Sequence, residues 1–195
     1  MSDLCIECGL CCDGTLFDSV ELYSVDDVEA LSPLKPVFVQ LPESVRVQQQ
    51  CPALVERCCS VYESRPGTCR SFECDVLRAH QRGDLSLAAA REVIARAVHL
   101  SAGVRPRMEA LVNPPAGLHA LARRAGLTEV RSATPLRRSS FPKLLADVQS
   151  HLRARPDATE AVAQHAALLD DAGELYELLV NSFGLGGPAG GASPE

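Results

Sequence analysis

The run Cys5-Ile6-Glu7-Cys8-Gly9-Leu10-Cys11-Cys12 near the amino terminus decides how the first part of this chain folds. Two residues between cysteines allow both sulfurs to point at one metal ion. Gly9, directly after the second cysteine, accepts a positive φ that turns backbone N–H groups towards the first sulfur. Neighbouring side chains of an extended chain point to opposite faces, so Cys11 and Cys12 indicate two separate sites, or one ligand and one packed thiol.

Further cysteines follow as far as residue 74, and none lies beyond it. All nine are within the first 74 of 195 residues, the later ones being Cys51, Cys58, Cys59, Cys69 and Cys74. A segment this rich in cysteine usually depends on metal or on disulfides rather than on a large apolar core. The odd count disfavours a framework of disulfides alone. With Cys58 set aside, eight cysteines remain, enough for two zinc sites, two iron–sulfur clusters, or one of each.

The charge distribution separates the same part of the chain from the rest. Residues 1–80 carry six Lys and Arg against thirteen Asp and Glu, whereas residues 81–195 carry thirteen against twelve. An acidic head disfavours a nucleic-acid-binding zinc finger, which needs positive charge to neutralise phosphates. No apolar run approaches the roughly 18 residues of a membrane span, and the amino terminus lacks the pattern of a signal peptide. We therefore expect no nucleic-acid or membrane partner and a cytoplasmic location.

Hydrophobic periodicity predicts an α+β fold with a small cysteine-rich, metal-bound amino-terminal domain, residues 1–80, that contains short strands. A mainly α-helical region, residues 81–183, follows, with a disordered tail over 184–195. We expect the helical region to dock on the head or on a protein partner. The predicted strands cover 16–22, 37–40 and 44–50, and the predicted helices cover 25–31, 86–98, 115–126, 142–152 and 157–183. The caps expected for these helices include Ser24 with Asp27, Ser86, and Asp157 with Glu160, and a break is expected at Gly173.

The order of the cysteine motifs is specific. C-x2-C-x2-C-C, then C-P-x-L, then C-x-V-Y-x-x-R-P-x-x-C-R-x-F-x-C resembles the YkgJ-type cysteine-cluster family, with its CxxCxxCC zinc- or iron-chelating domain. The resemblance implies zinc or an iron–sulfur cluster as cofactor and leaves Cys58 without a counterpart. It implies eight metal ligands, which are Cys5, Cys8, Cys11, Cys12, Cys51, Cys59, Cys69 and Cys74.

Arginines are interleaved with these ligands. Four thiolates around one metal centre leave negative charge that cationic neighbours offset. We expect Arg65 and Arg70 to take this role, whereas for Arg57 the sequence does not decide between it and a solvated position. The leading interpretation is thus a cysteine-cluster protein whose head folds around its metal.

Two other functions stay open. The family includes the head of flagellin lysine methylases, which implies a cluster-dependent redox or modifying enzyme. The glycine-rich loop expected for a methyl donor is not recognisable, and the sequence assigns no catalytic residue. The other alternative is a thiol/disulfide protein, either stapled by disulfides or acting in thiol redox chemistry.

Overall fold

Short strands and helices in the head precede long helices, as the predicted α+β class requires. The computed structural model describes residues 3–112 and 139–185. The head contains α1 (Asp3–Cys8), β1 (Ser19–Leu22), α2 (Val25–Leu31), β2 (Phe38–Gln40), β3 (Val45–Gln48), β4 (Leu54–Val55), β5 (Cys58–Cys59), α3 (Gly67–Ser71) and α4 (Asp75–Gln81). Long helices follow as α5 (Leu87–Val112), α6 (Phe141–Arg153), α7 (Ala158–Gln164) and α8 (Ala166–Phe183).

The head contains two small antiparallel sheets. β3 lies between β1 and β2, with Val47 opposite Val20 on one side and Phe38 on the other. Val20 and Val47 pack with Leu31 of α2 in a small buried cluster. A strand is therefore confirmed in each of the three predicted stretches, with shorter bounds than 16–22, 37–40 and 44–50. β4 and β5 form a separate hairpin, which the sequence did not predict as strands.

α2 begins with the predicted cap. The Ser24 hydroxyl accepts a hydrogen bond from the backbone N–H of Asp27 at 3.1 Å. The buried Asp27 carboxylate accepts in turn from the backbone N–H of Tyr23 at 3.1 Å and of Gly67 at 2.8 Å. Gly67 opens α3, so this one side chain fixes α3 against the start of α2.

One apolar core includes residues from both the head and the long helices. In it, Leu4, Leu10 and Leu16 of the head are buried with residues of α4, α5, α6 and α8. Each fully buried leucine of this kind stabilises the fold by about 1.5–3 kcal/mol. The core thus crosses residue 80, and the domain boundary expected there stays a prediction.

The long helices follow the predicted pattern with one correction. Ser86 caps α5 by accepting a hydrogen bond from the Ala89 N–H at 3.2 Å, and α6 covers the predicted 142–152. The helix break expected at Gly173 is wrong, because α8 continues through Gly173. The helical segment is interrupted at His165 instead, between α7 and α8. Ala172 beside it is buried in the core, and this packing outweighs the roughly 1 kcal/mol that a helical glycine costs.

Two further expectations concern the ends of helices and the remaining chain. The Asp157 carboxylate does not cap α7 and instead accepts hydrogen bonds from Arg155 at 2.7 and 2.9 Å. The helix predicted over 115–126 and the tail beyond residue 185 lie outside the described residues. Within 3–112 and 139–185, none of the helices combines the length and the apolar composition that crossing a membrane requires.

Candidate metal centre

A tight turn after α1 shapes the first cysteine motif. Gly9 has a φ of 63°, as predicted, and its carbonyl accepts hydrogen bonds from the N–H groups of Cys12 at 3.0 Å and Asp13 at 2.9 Å. A side chain at Gly9 would bring its Cβ to 3.2 Å from the Arg57 carbonyl. Glycine is therefore required both by the backbone angle and by the close approach of the β4–β5 turn.

Four of the cysteines form a group against the main core, which we call the inner set: Cys5, Cys8, Cys11 and Cys74. Cys8 is part of that core, and the other three pack on it. Burial raises the pKa of Cys8 to about 12, and the charges of Cys74 and Cys5 add to the rise. Burial raises the pKa of Cys11 well above its ordinary value, followed by the charges of Cys8, of the adjacent Cys12, and of Cys74 and Cys5. These mutual effects require neighbouring sulfurs, so residues 66 positions apart in the chain are brought together.

The other four form a second group, the outer set: Cys12, Cys51, Cys59 and Cys69. Burial is the main cause of the raised pKa of Cys12, followed by the charges of Cys51, Cys69 and Cys59. Burial also raises the pKa of Cys69 to about 11, and again Cys51 and Cys59 follow. The backbone adds a direct link, because the Cys51 N–H donates to the Cys12 carbonyl at 2.8 Å.

The two groups separate the adjacent cysteines. Cys11 lies with the inner set and Cys12 with the outer set, which is the arrangement that two separate sites would have. Cys58 belongs to neither group; its side chain is exposed and its Sγ lies 3.8 Å from the Ile6 carbonyl. The ligand roles of the eight cysteines stay a prediction.

The donor chemistry of each set fits zinc or an iron–sulfur cluster, because each offers four sulfurs. All nine cysteines are free thiols, which gives the disulfide alternative no support. In the described ranges, however, no group of three or more His, Cys, Asp or Glu side chains already has the arrangement of a metal site. The sulfurs of each set influence one another's ionisation without already having metal-site geometry.

The arginines near the cysteines have unequal roles. The Arg65 guanidinium lies 4.1 Å from the centre of the Tyr62 ring, and its charge opposes the burial that raises the pKa of Cys69. Arg70 donates to the Arg65 carbonyl at 2.6 Å, so this hydrogen bond supports the backbone of Arg65 rather than a sulfur. The structure thus brings Arg65 to the outer set and places Arg70 behind it.

Arg57, whose role the sequence left undecided, lies beside the inner set. Its guanidinium donates to the Cys8 carbonyl and lies 3.5 Å from the Asp13 carboxylate. Its charge opposes the burial that raises the pKa of Cys8. The only signal in the sequence was its position next to Cys58, because the contact joins residues 49 positions apart.

The helix α5 holds the segment that follows Cys12. The buried Arg105 donates to the Gly14 carbonyl at 2.5 Å, and the hydroxyls of Ser101 and Thr15 are 2.9 Å apart. The Phe141 N–H at the start of α6 donates to the Thr15 carbonyl at 2.9 Å. Sequence reasoning missed these residues, because no local pattern marks a contact between elements so far apart in the chain.

The α+β head with two all-sulfur donor sets defines a cysteine-rich domain suited to chelating a soft metal. Residues 4–88 match the family model of the CxxCxxCC domain, described as a putative zinc- or iron-chelating domain, which is the family that the motifs resemble. No curated protein and no solved structure matches the chain. The family description supports zinc or iron binding through the cysteines and gives the enzyme alternative no support.

Proposed function

We propose that the chain binds metal at two four-thiolate centres, one formed by the inner set and one by the outer set. The observation that carries this proposal is that eight cysteines form two groups of four, with the sulfurs of each group near one another and the exposed Cys58 left over. The packing of the inner set on the main core and the hydrogen bond between Cys51 and Cys12 support the division independently of charge.

Zinc and a four-iron cluster both suit such ligands, and each would give a centre with net negative charge. When bound, the metal replaces the thiol protons and supplies folding free energy that a small head lacks. Arg57 beside the inner set and Arg65 beside the outer set are placed to offset the negative charge. We also propose a cytoplasmic location, since a reducing compartment keeps thiols free for metal.

The test is the metal content of the full chain purified without oxygen. Zinc, iron and acid-labile sulfide are measured per chain, and a visible spectrum distinguishes a cluster from colourless zinc. We expect two zinc ions or two clusters per chain, with Cys58→Ser unchanged as the matched control. Fewer than two metal centres per chain after loading with either metal would overturn the proposal.

A further inference from the structure

The inner set is built into the part of the fold that holds head and helices together. Among the described residues, the core on which it packs has 22 buried members, drawn from the head and from α4, α5, α6, α7 and α8. Cys5 and Cys8 belong to α1, whose Glu7 carboxylate accepts two hydrogen bonds from Arg91 of α5 at 2.8 and 3.0 Å. Opening this set would therefore disturb the packing between α1 and α5.

The fourth inner cysteine is joined to the core through α4. Cys74 directly precedes α4, and Val76 and Leu77 of α4 are buried in the main core. At the end of α8, Gly184 has a φ of 75°, and a Cβ there would lie 2.9 Å from the Asp75 carboxylate. The backbone that follows Cys74 thus packs against the long helices, while the Asp75 side chain stays half exposed.

The outer set has a much weaker apolar support. Cys51 precedes the β4–β5 hairpin and Cys59 is the last residue of β5. The two strands have two residues each, and Val55 of β4 is 56% exposed. Only Cys69 of this set packs on an apolar cluster, and that cluster has four buried members among the described residues. The turn residues Glu56 and Arg57 have φ values of 48° and 67°, a left-handed conformation that non-glycine residues adopt at a cost.

We propose that the two centres have different roles: the inner one is structural, and the outer one is an exchangeable centre that gains or loses its metal while the main core stays folded. This inference rests on the proposed two-centre function. Its physical basis is that proteins open locally, and segments with few buried apolar contacts open at lower free energy than the core does. A centre whose ligands lie on such a segment releases its ion through local opening alone. Release from the inner centre requires the core around α1 and α5 to open.

The experiment follows zinc release from the zinc-loaded full chain. An excess of the coloured chelator 4-(2-pyridylazo)resorcinol records release over time, and hydrogen exchange with mass spectrometry records which segments open. We expect two phases of one zinc each, with rates that differ by on the order of tenfold or more, equivalent to about 1.4 kcal/mol. In the fast phase residues 51–71 lose protection, whereas α1 and α5 lose theirs only in the slow phase.

Cysteine variants show which set releases its zinc in each phase. Cys51→Ser should remove the fast phase and leave the slow phase and the protection of α5, while Cys58→Ser should keep both phases. Should Cys51→Ser fail to fold, exchange in the wild-type chain still gives the order of opening. Release of both ions in one phase, or loss of α5 protection with the first ion, would overturn the inference. A chain that never binds two ions would instead contradict the proposed function itself.

Discussion

Replacing Asp27 by alanine tests how the fold positions the outer set. This buried carboxylate joins three points of the chain: the N–H of Tyr23, the start of α2, and the N–H of Gly67. Gly67 opens the five-residue helix α3, which carries Cys69. Alanine would leave these N–H groups without their acceptor and free α3 from α2.

The magnitude follows from the hydrogen bonds lost. The carboxylate accepts two, at 2.8 and 3.1 Å, and a hydrogen bond to a charged group contributes about 1.5–3 kcal/mol. Tyr23 is exposed, so water can replace part of what its N–H loses. We therefore expect Asp27→Ala to lower the free energy of unfolding by about 3 kcal/mol.

Urea unfolding of the zinc-loaded chain measures this loss, and the zinc content after dialysis shows whether the outer centre is weakened with it. Asp26→Ala is the matched control, because Asp26 is exposed in the same first turn of α2. We expect the control to keep its zinc. A difference in unfolding free energy of less than about 0.5 kcal/mol between the two variants, the range of ordinary surface substitutions, would show that Asp27 does not hold α3 against α2.

Three further predictions follow from the same structure. The first concerns Cys8, whose pKa is raised from 9.0 to about 12 in the folded chain. The stability that this shift contributes to the metal-free chain is fully present below pH 9 and is lost as the pH rises towards 12. Thermal unfolding should show this loss in the metal-free chain only, and a melting temperature that stays constant above pH 9 would contradict it. Arg105→Met removes the hydrogen bond to Gly14 and should lower the free energy of unfolding by about 2 kcal/mol or more. The control Arg107→Met, at an exposed position of the same helix, should not lower it. Equal urea midpoints of the two variants would count against the role of Arg105. Glu56→Asn places a residue that tolerates positive φ in the hairpin turn and should stabilise the loaded chain by up to roughly 1 kcal/mol. A urea midpoint lower than that of the wild-type chain would show that the turn is not strained.

The features that the sequence predicted correctly have local causes. The helix at 25–31 follows from Ser24 and Asp27 three residues apart, and the positive φ of Gly9 follows from its place after Cys8. Alternating apolar residues were enough to predict the strands. Each of these signals involves residues that are close in the sequence, so it can be recognised without knowledge of the tertiary fold.

The division of the cysteines into two sets depends on contacts between distant residues. Cys74 lies near Cys5 because α4 packs on the main core, and Cys69 is held in α3, whose start Asp27 binds. No spacing rule contains that information. The misplaced helix break has a similar cause, since burial of Ala172 in the core overrides the local preference of its glycine neighbour.

The number of metal centres in set-specific variants shows whether the chain holds two separate four-thiolate centres. Native mass spectrometry of the loaded full chain counts the zinc ions or clusters bound to each molecule. We expect two centres in the wild-type chain and in Cys58→Ser, and one in Cys51→Ser, because only the outer set loses a ligand there. A single centre in the wild-type chain, or an unchanged count in Cys51→Ser, would contradict the division into an inner and an outer centre.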